Sequence, residues 1–150
     1  MDRDTSEPHE LVDGVPVRMI ARSGQSHNVA TTNAVVALAP SAKMKLCRTT
    51  SSDTAVRTGQ CGVRYPDVVV DCGPPDPSAK EAARPTVVVE VSSPSTLAID
   101  LKDKIDEYQA HDDIQVIMLV EPEVISVKVY RRDVHGLWTA EKYDDLERHR

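Results

Sequence analysis

The sequence predicts an α/β protein, in the form of an α+β mixed sheet flanked by helices. Three observations predict it. Two Val-rich runs, 66–72 and 86–92, read as strands of a sheet buried on both faces. Leu97, Leu101, Ile105 and Tyr108 recur at the spacing of one helical face just after the second run. The chain order is hairpin, helix, strands, helix, strands, which places a helix on each side of a sheet.

Each element has its own signal. Residues 1–8 are charged and carry no apolar pattern, so they read as a disordered lead-in. Residues 10–20 form a hairpin, with Asp13-Gly14 as its turn and Pro16 putting the second strand at an edge or bulge. Ser26 caps a helix that carries Val29, Val35, Val36 and Leu38 and ends near Pro40. Two short strands are expected around 45–49 and 54–58. Between the two Val-rich runs, residues 73–84 hold Gly73, Pro74, Pro75 and Pro77 and must form an exposed loop. Ser93-Pro94-Ser95-Thr96 is a sharp turn, with Ser95 or Thr96 capping a helix from Leu97 to about His111. Three closing strands follow at 115–120, 124–131 and 137–143, separated by Pro122 and by His135-Gly136.

Composition bounds what this fold can be. A chain of 150 residues supports one domain with a real core, spanning 1–150, with 1–9 and 144–150 expected to be flexible. Phe is absent and aromatic residues make up only 3%, so the core must rest on Val, Leu, Ile and Ala. The net charge of −6 argues against a non-specific nucleic-acid coat protein. It leaves room for a nuclease, where a metal and a local basic face offset it. Cys47, Cys61 and Cys72 form no C-x-x-C pair and meet no His cluster, so they read as reduced thiols of a cytoplasmic protein. The charged N-terminal segment does not read as a signal peptide, and no run approaches the roughly 20 apolar residues of a membrane helix.

Chemistry concentrates in the two Val-rich runs, because each carries an embedded carboxylate, Asp67 in the first and Glu90 in the second. An acid in a buried strand is costly unless something pairs with it. If the two strands are neighbours, about 4.8 Å apart, both carboxylates can reach one divalent cation. Mg²⁺ favours such oxygen ligands together with waters. Asp100 and Lys104 are four apart and share a helix face at the mouth of the second strand, so Lys104 can point back at the same place. Tyr108 reads as core packing with a polar tip, and His27 as structural or surface. Lys43, Lys45 and Arg48 read as a solvated surface rather than a phosphate-binding face.

These residues carry a resemblance. Pro66-Asp67, then Glu90-Val91-Ser92-Ser93-Pro94-Ser95-Thr96, then Asp100-x-x-x-Lys104-x-x-x-Tyr108, is similar to the Uma-type putative restriction endonuclease family of the PD-(D/E)XK nuclease superfamily. Around that cluster, Glu10-Leu11-Val12-Asp13-Gly14, His27, Ser52-Asp53, Val127-x-Val129-Tyr130-Arg131 and Gly136-x-Trp138 extend it over roughly residues 10–143. The resemblance implies a restriction-endonuclease-like core with Asp67 and Glu90 as metal ligands. Ser92 stands where the superfamily usually places a Lys, and Lys104 matches the Lys that this branch carries on the following helix. Glu10 resembles an additional acid of the site.

The expected function is therefore a Mg²⁺-dependent DNA endonuclease, with Mn²⁺ as an alternative ion. Its site residues are Asp67, Glu90, Lys104, Asp100 and Glu10. DNA is the expected partner, and a homodimer fits the need to cut two strands. Two other readings stand beside it. One is a catalytically silent nuclease-fold module that serves nucleic-acid or protein interaction, which the acidic charge favours. The other is a hydrolase of a different phosphorylated substrate.

Overall fold

A computed structural model describes residues 9–18, 24–93 and 98–144. The lead-in 1–8, the predicted hairpin end at 19–20, the cap candidates Ser95 and Thr96, and the tail from 145 lie outside the described residues.

The first hairpin joins β1 (His9–Val12) to β2 (Val15–Arg18). Asp13 and Gly14 both adopt positive φ, 51° and 81°, as a two-residue type I′ turn requires. β2, which holds Pro16, is an edge strand, where the missing N–H costs no ladder bond. Then follow α1 (Gln25–Met44), β3 (Arg48–Ser51), β4 (Val56–Thr58), β5 (Gly62–Arg64), β6 (Val68–Asp71), β7 (Pro85–Val91), α2 (Ala98–Gln109), β8 (Val116–Glu121), β9 (Ser126–Arg132) and β10 (Trp138–Tyr143). β1, β2, β4 and β5 form a small antiparallel sheet in the order β2-β1-β5-β4. The main sheet runs β10-β9-β8-β7-β6-β3. Only its β7–β8 pair is parallel, and α2 is the crossover that a parallel pair needs.

The Val-rich runs are buried on both faces because successive strand residues point to opposite sides. Val68, Val89 and Val91 face α1 and pack with Ala30, Ala34, Val35 and Leu38. Val69 and Val88 face the other way, into a core with Val56, Ile105, Tyr108, Ile114 and Ile117. The expected arrangement of one helix per face is therefore the observed one. The sheet separates two apolar layers, and the small sheet contributes Val56 to the α2 side.

Four local expectations are corrected. α1 runs through Pro40 to Met44 instead of ending near Pro40. Pro40 deprives the Val36 carbonyl of its donor, but Val36 is 66% exposed, so water can serve that acceptor. Ser26 does not cap α1: the N-cap is Gly24, and the Ser26 hydroxyl donates to Glu123 at 3.1 Å. Residues 122–124 form a 3₁₀ turn, and Ile125 follows in the left-handed region, so β9 starts at Ser126 rather than at Val124. Cys47 and Cys72 are not reduced thiols but a disulfide, with Cα atoms 4.3 Å apart. The β3–β6 register pairs Arg48 with Asp71, and one step further sets Cys47 opposite Cys72. Cys61 is the remaining cysteine and is exposed. Among the described residues no helix is long and apolar enough to cross a membrane.

Candidate active site

The β6–β7 register pairs Val69 with Val88 and Val68 with Val89. One step on, Asp67 stands across from Glu90. Residues two apart share a strand face. Glu90 therefore belongs to the face of Val88, which is the α2 side, while Asp67 precedes β6 at the sheet's end and lies within reach of both helices, through His27 of α1 and the charge of Lys104 of α2. The two acids are close enough for the Asp67 charge to act on Glu90, and both feel the Lys104 ammonium.

Each acid is held by defined partners. Asp67 accepts the Val91 N–H at 2.7 Å through Oδ2, and its Oδ1 lies 3.2 Å from His27 Nε2 of α1. Glu90 is 4% exposed, and its Oε2 accepts the hydroxyl of the fully buried Tyr108 at 2.6 Å. The Lys104 ammonium reaches Glu90 Oε1 at 3.6 Å, Asp100 Oδ2 at 3.5 Å and Glu10 Oε1 at 3.8 Å. Ser92, in the position after Val91, continues the sheet pairing through its N–H to the Val120 carbonyl. Of the described cations, it is Lys104 that meets Glu90.

α2 supplies this cluster because of its spacing. Asp100, Lys104, Glu107 and Tyr108 fall at i, i+4, i+7 and i+8, one stripe of a helix. Ile105 and Tyr108 bury the helix against the sheet and so aim the charged part of the stripe at Glu90. The small sheet closes the other side. Glu10 of β1 accepts the Tyr65 N–H at 3.0 Å, and Arg64 of β5 lies between Glu10, Asp100 and Glu107.

Burial and charge set the protonation states. Burial pushes Glu90 up to about 7, and the Asp67 charge adds to that, while Lys104 and the Tyr108 hydroxyl offset part of it. Burial also raises Asp67, against the opposing pull of the Val91 N–H, His27 and Lys104. For Lys104, burial favours the neutral amine, but Glu90, Glu10 and Asp100 outweigh it and hold the ammonium above its ordinary value. Burial and the Glu90 charge raise Tyr108 well above its ordinary value, so it donates its proton rather than losing it.

The five expected site residues thus gather in one place. His27 joins them through Asp67, and Tyr108 is core packing whose polar tip binds Glu90. Arg48, one of the surface cations, instead donates to the Gly73 carbonyl at 2.7 Å and pairs with Asp71. Arg64 and Glu107 escaped the sequence reading. Glu107 carried a usable signal, since its spacing from Asp100 and Lys104 puts it on their stripe. Arg64 carried little: its partners are 36 to 54 positions away, brought in by the small sheet and α2. The donors of Asp67 and Glu90 are all oxygens, a set that suits a hard divalent cation. Among the described residues no three His, Cys, Asp or Glu side chains converge as a ready metal cage. Two carboxylates completed by waters or a substrate phosphate remain the usual manner of holding Mg²⁺.

The architecture is an α+β nuclease-like fold. It matches the crystal structure of a putative nuclease belonging to DUF820 from Anabaena variabilis with a TM-score of 0.76 and 19% identity, over 93% of this chain and 78% of that one. The chain belongs to the Uma2 family, described as putative restriction endonuclease, which it matches over residues 1–149. An uncharacterized Synechocystis protein, slr1290, is 27% identical over 144 residues, which is 95% of this chain and 75% of that protein.

Proposed function

We propose that the protein is a divalent-metal-dependent endonuclease that hydrolyses phosphodiester bonds of DNA. The observation that carries this reading is the buried Glu90, with the Lys104 ammonium 3.6 Å from it and Asp67 one step beyond the Val68–Val89 pairing beside it. Burial raises both acids, and Glu90 pushed up to about 7 is a group that gains from a nearby cation.

In this reading Asp67 and Glu90 hold Mg²⁺ or Mn²⁺, which when bound neutralises phosphate charge and acidifies a coordinated water. Val91 N–H and His27 fix the orientation of the Asp67 carboxylate. Tyr108 fixes one oxygen of Glu90 and leaves the other turned to Lys104. The Lys104 ammonium, kept charged by its three carboxylates, can donate to an attacking water or to a phosphate oxygen as charge develops on it. Asp100 and Glu10 steady that ammonium. Two such sites related by symmetry would cut both strands of a duplex, so a homodimer belongs to the proposal.

The reading predicts that Mg²⁺ at about 10 mM raises the melting temperature, because a ligand bound only by the folded state stabilises it. Asp67→Ala should abolish that shift. A wild-type protein that melts at the same temperature with and without divalent cations removes the metal site. The net charge of −6 and the absence of a ready three-ligand cage among the described residues favour a second reading, a catalytically silent interaction module. It predicts DNA binding that Asp67→Ala leaves unchanged.

A further inference from the structure

Arg64 is the most buried charged side chain of the site, at 1% exposure. Its guanidinium is fully committed. Nε and Nη2 grip Glu107 at 2.9 and 2.6 Å, with the Thr58 hydroxyl also donating to Glu107 at 2.8 Å. Nη1 lies 3.2 Å from Glu10 Oε1 and 3.5 Å from Asp100 Oδ1. Lys104 meets the same Glu10 oxygen and the second oxygen of the same Asp100 carboxylate. Glu10 and Asp100 are thus shared between two cations of different character. Arg64 is a planar fork locked on Glu107, whereas Lys104 is a compact charge on a flexible stem.

We propose that Arg64 is a positioning residue that sets where the Lys104 ammonium rests. With Arg64 drawing on Glu10 and Asp100, neither carboxylate can close fully on Lys104, and the ammonium stays within reach of Glu90. Without it, Glu10 and Asp100 turn their whole charge on Lys104 and pull it toward themselves, away from Glu90. Burying an arginine forfeits much of its hydration. A simple link between β5 and α2 could be apolar and avoid that cost. The division of two carboxylates between a multidentate cation and a single-point one needs an arginine, whose planar fork can hold Glu107 and the two shared acids together.

This proposal rests on the nuclease reading for its kinetic consequence, but its geometric core can be tested without activity. Arg64→Met combined with Glu107→Gln removes one positive and one negative charge together, and leaves the Thr58 hydroxyl an acceptor. The paired change keeps the net charge of the cluster and leaves Glu10 and Asp100 with Lys104 as their cation. The crystal structure of this double variant should show Lys104 Nζ displaced from Glu90 Oε1 toward Glu10 and Asp100. Plasmid nicking should lose about a hundredfold in kcat, with KM changed less than about threefold and the Mg²⁺-induced rise in melting temperature retained. If the double variant does not fold, Arg64→Lys, which keeps the charge and loses the fork, takes the same two measurements. Lys104 still 3.6 Å from Glu90, or nicking with unchanged kcat, would overturn the proposal and leave Arg64 as a structural link. A wild-type protein that nicks nothing counts against the nuclease reading, while the Lys104–Glu90 distance in the variant still decides the positioning role.

Discussion

Glu90→Gln should make the protein more stable above neutral pH and leave it unchanged in acid. Glu90 has an ordinary value of 4.5 and is pushed up to about 7, chiefly by burial. Ionised in the fold, it therefore carries a penalty of about 3 kcal/mol relative to the unfolded chain. The sign follows from proton binding. Between pH 4.5 and 7 the folded state binds the extra proton, so the wild type loses stability as pH rises through that window. Below about pH 4.5 both states are protonated and the penalty vanishes. Gln mimics the protonated acid and can still accept the Tyr108 hydroxyl bond. The variant should equal the wild type near pH 4.5 and exceed it by about 3 kcal/mol near pH 8, some 6–12 °C in melting temperature for a chain of this size. Thermal or urea denaturation of both proteins at several pH values, in chelator, measures this. Divalent cation should shrink the gap, since it binds the acid and not the amide. A difference that does not vary with pH, or a variant less stable at pH 8, would refute the claim that Glu90 is held as a desolvated acid.

Two further outcomes concern the scaffold. The Cys47–Cys72 disulfide, at a sequence separation of 25, should contribute about 3 kcal/mol, so reduction or Cys47→Ser should lower the melting temperature by several degrees. Cys61→Ser should leave it unchanged, and insensitivity to reductant would exclude the bond. Arg132 donates to the Gln109, His111 and Asp112 carbonyls at and just beyond the end of α2 and stacks on Trp138 at 4.9 Å. Arg132→Ala should lose about 2 kcal/mol by calorimetry, and Arg132→Lys should recover less than half of it, because a point charge cannot serve three acceptors and a ring at once.

What the sequence disclosed followed the range of the interactions involved. The strand that follows Asp67 and the strand that holds Glu90, the Asp13-Gly14 turn and the α2 stripe all depend on neighbours a few residues away. Asp100 and Lys104 were legible for the same reason, because four residues on a helix is a local distance. The two embedded acids were visible because a charge inside a Val run contradicts burial unless it has a use. The rest depended on pairing between distant segments. Cys47 meets Cys72 only through the β3–β6 register. β5 is three residues long, too short for a periodic signal, and it carries Arg64. His27 read as structural or surface because its partner Asp67 lies forty positions on, reached only after α1 packs on the sheet. Pro40 looked like a helix end because the propensity penalty is local, whereas Val35 and Leu38 are held against the sheet by tertiary packing.

The most direct test is nicking of supercoiled plasmid DNA by purified protein in Mg²⁺ or Mn²⁺, beside Asp67→Ala, Glu90→Ala and Lys104→Met proteins shown to be folded. Conversion to nicked and linear forms should require the divalent cation. It should vanish in both carboxylate variants, and fall by about a hundredfold or more in Lys104→Met. Cleavage that survives in chelator or in Asp67→Ala, or no cleavage by a wild-type protein that binds the cation, would contradict the assignment of this site as a metal-dependent nuclease centre.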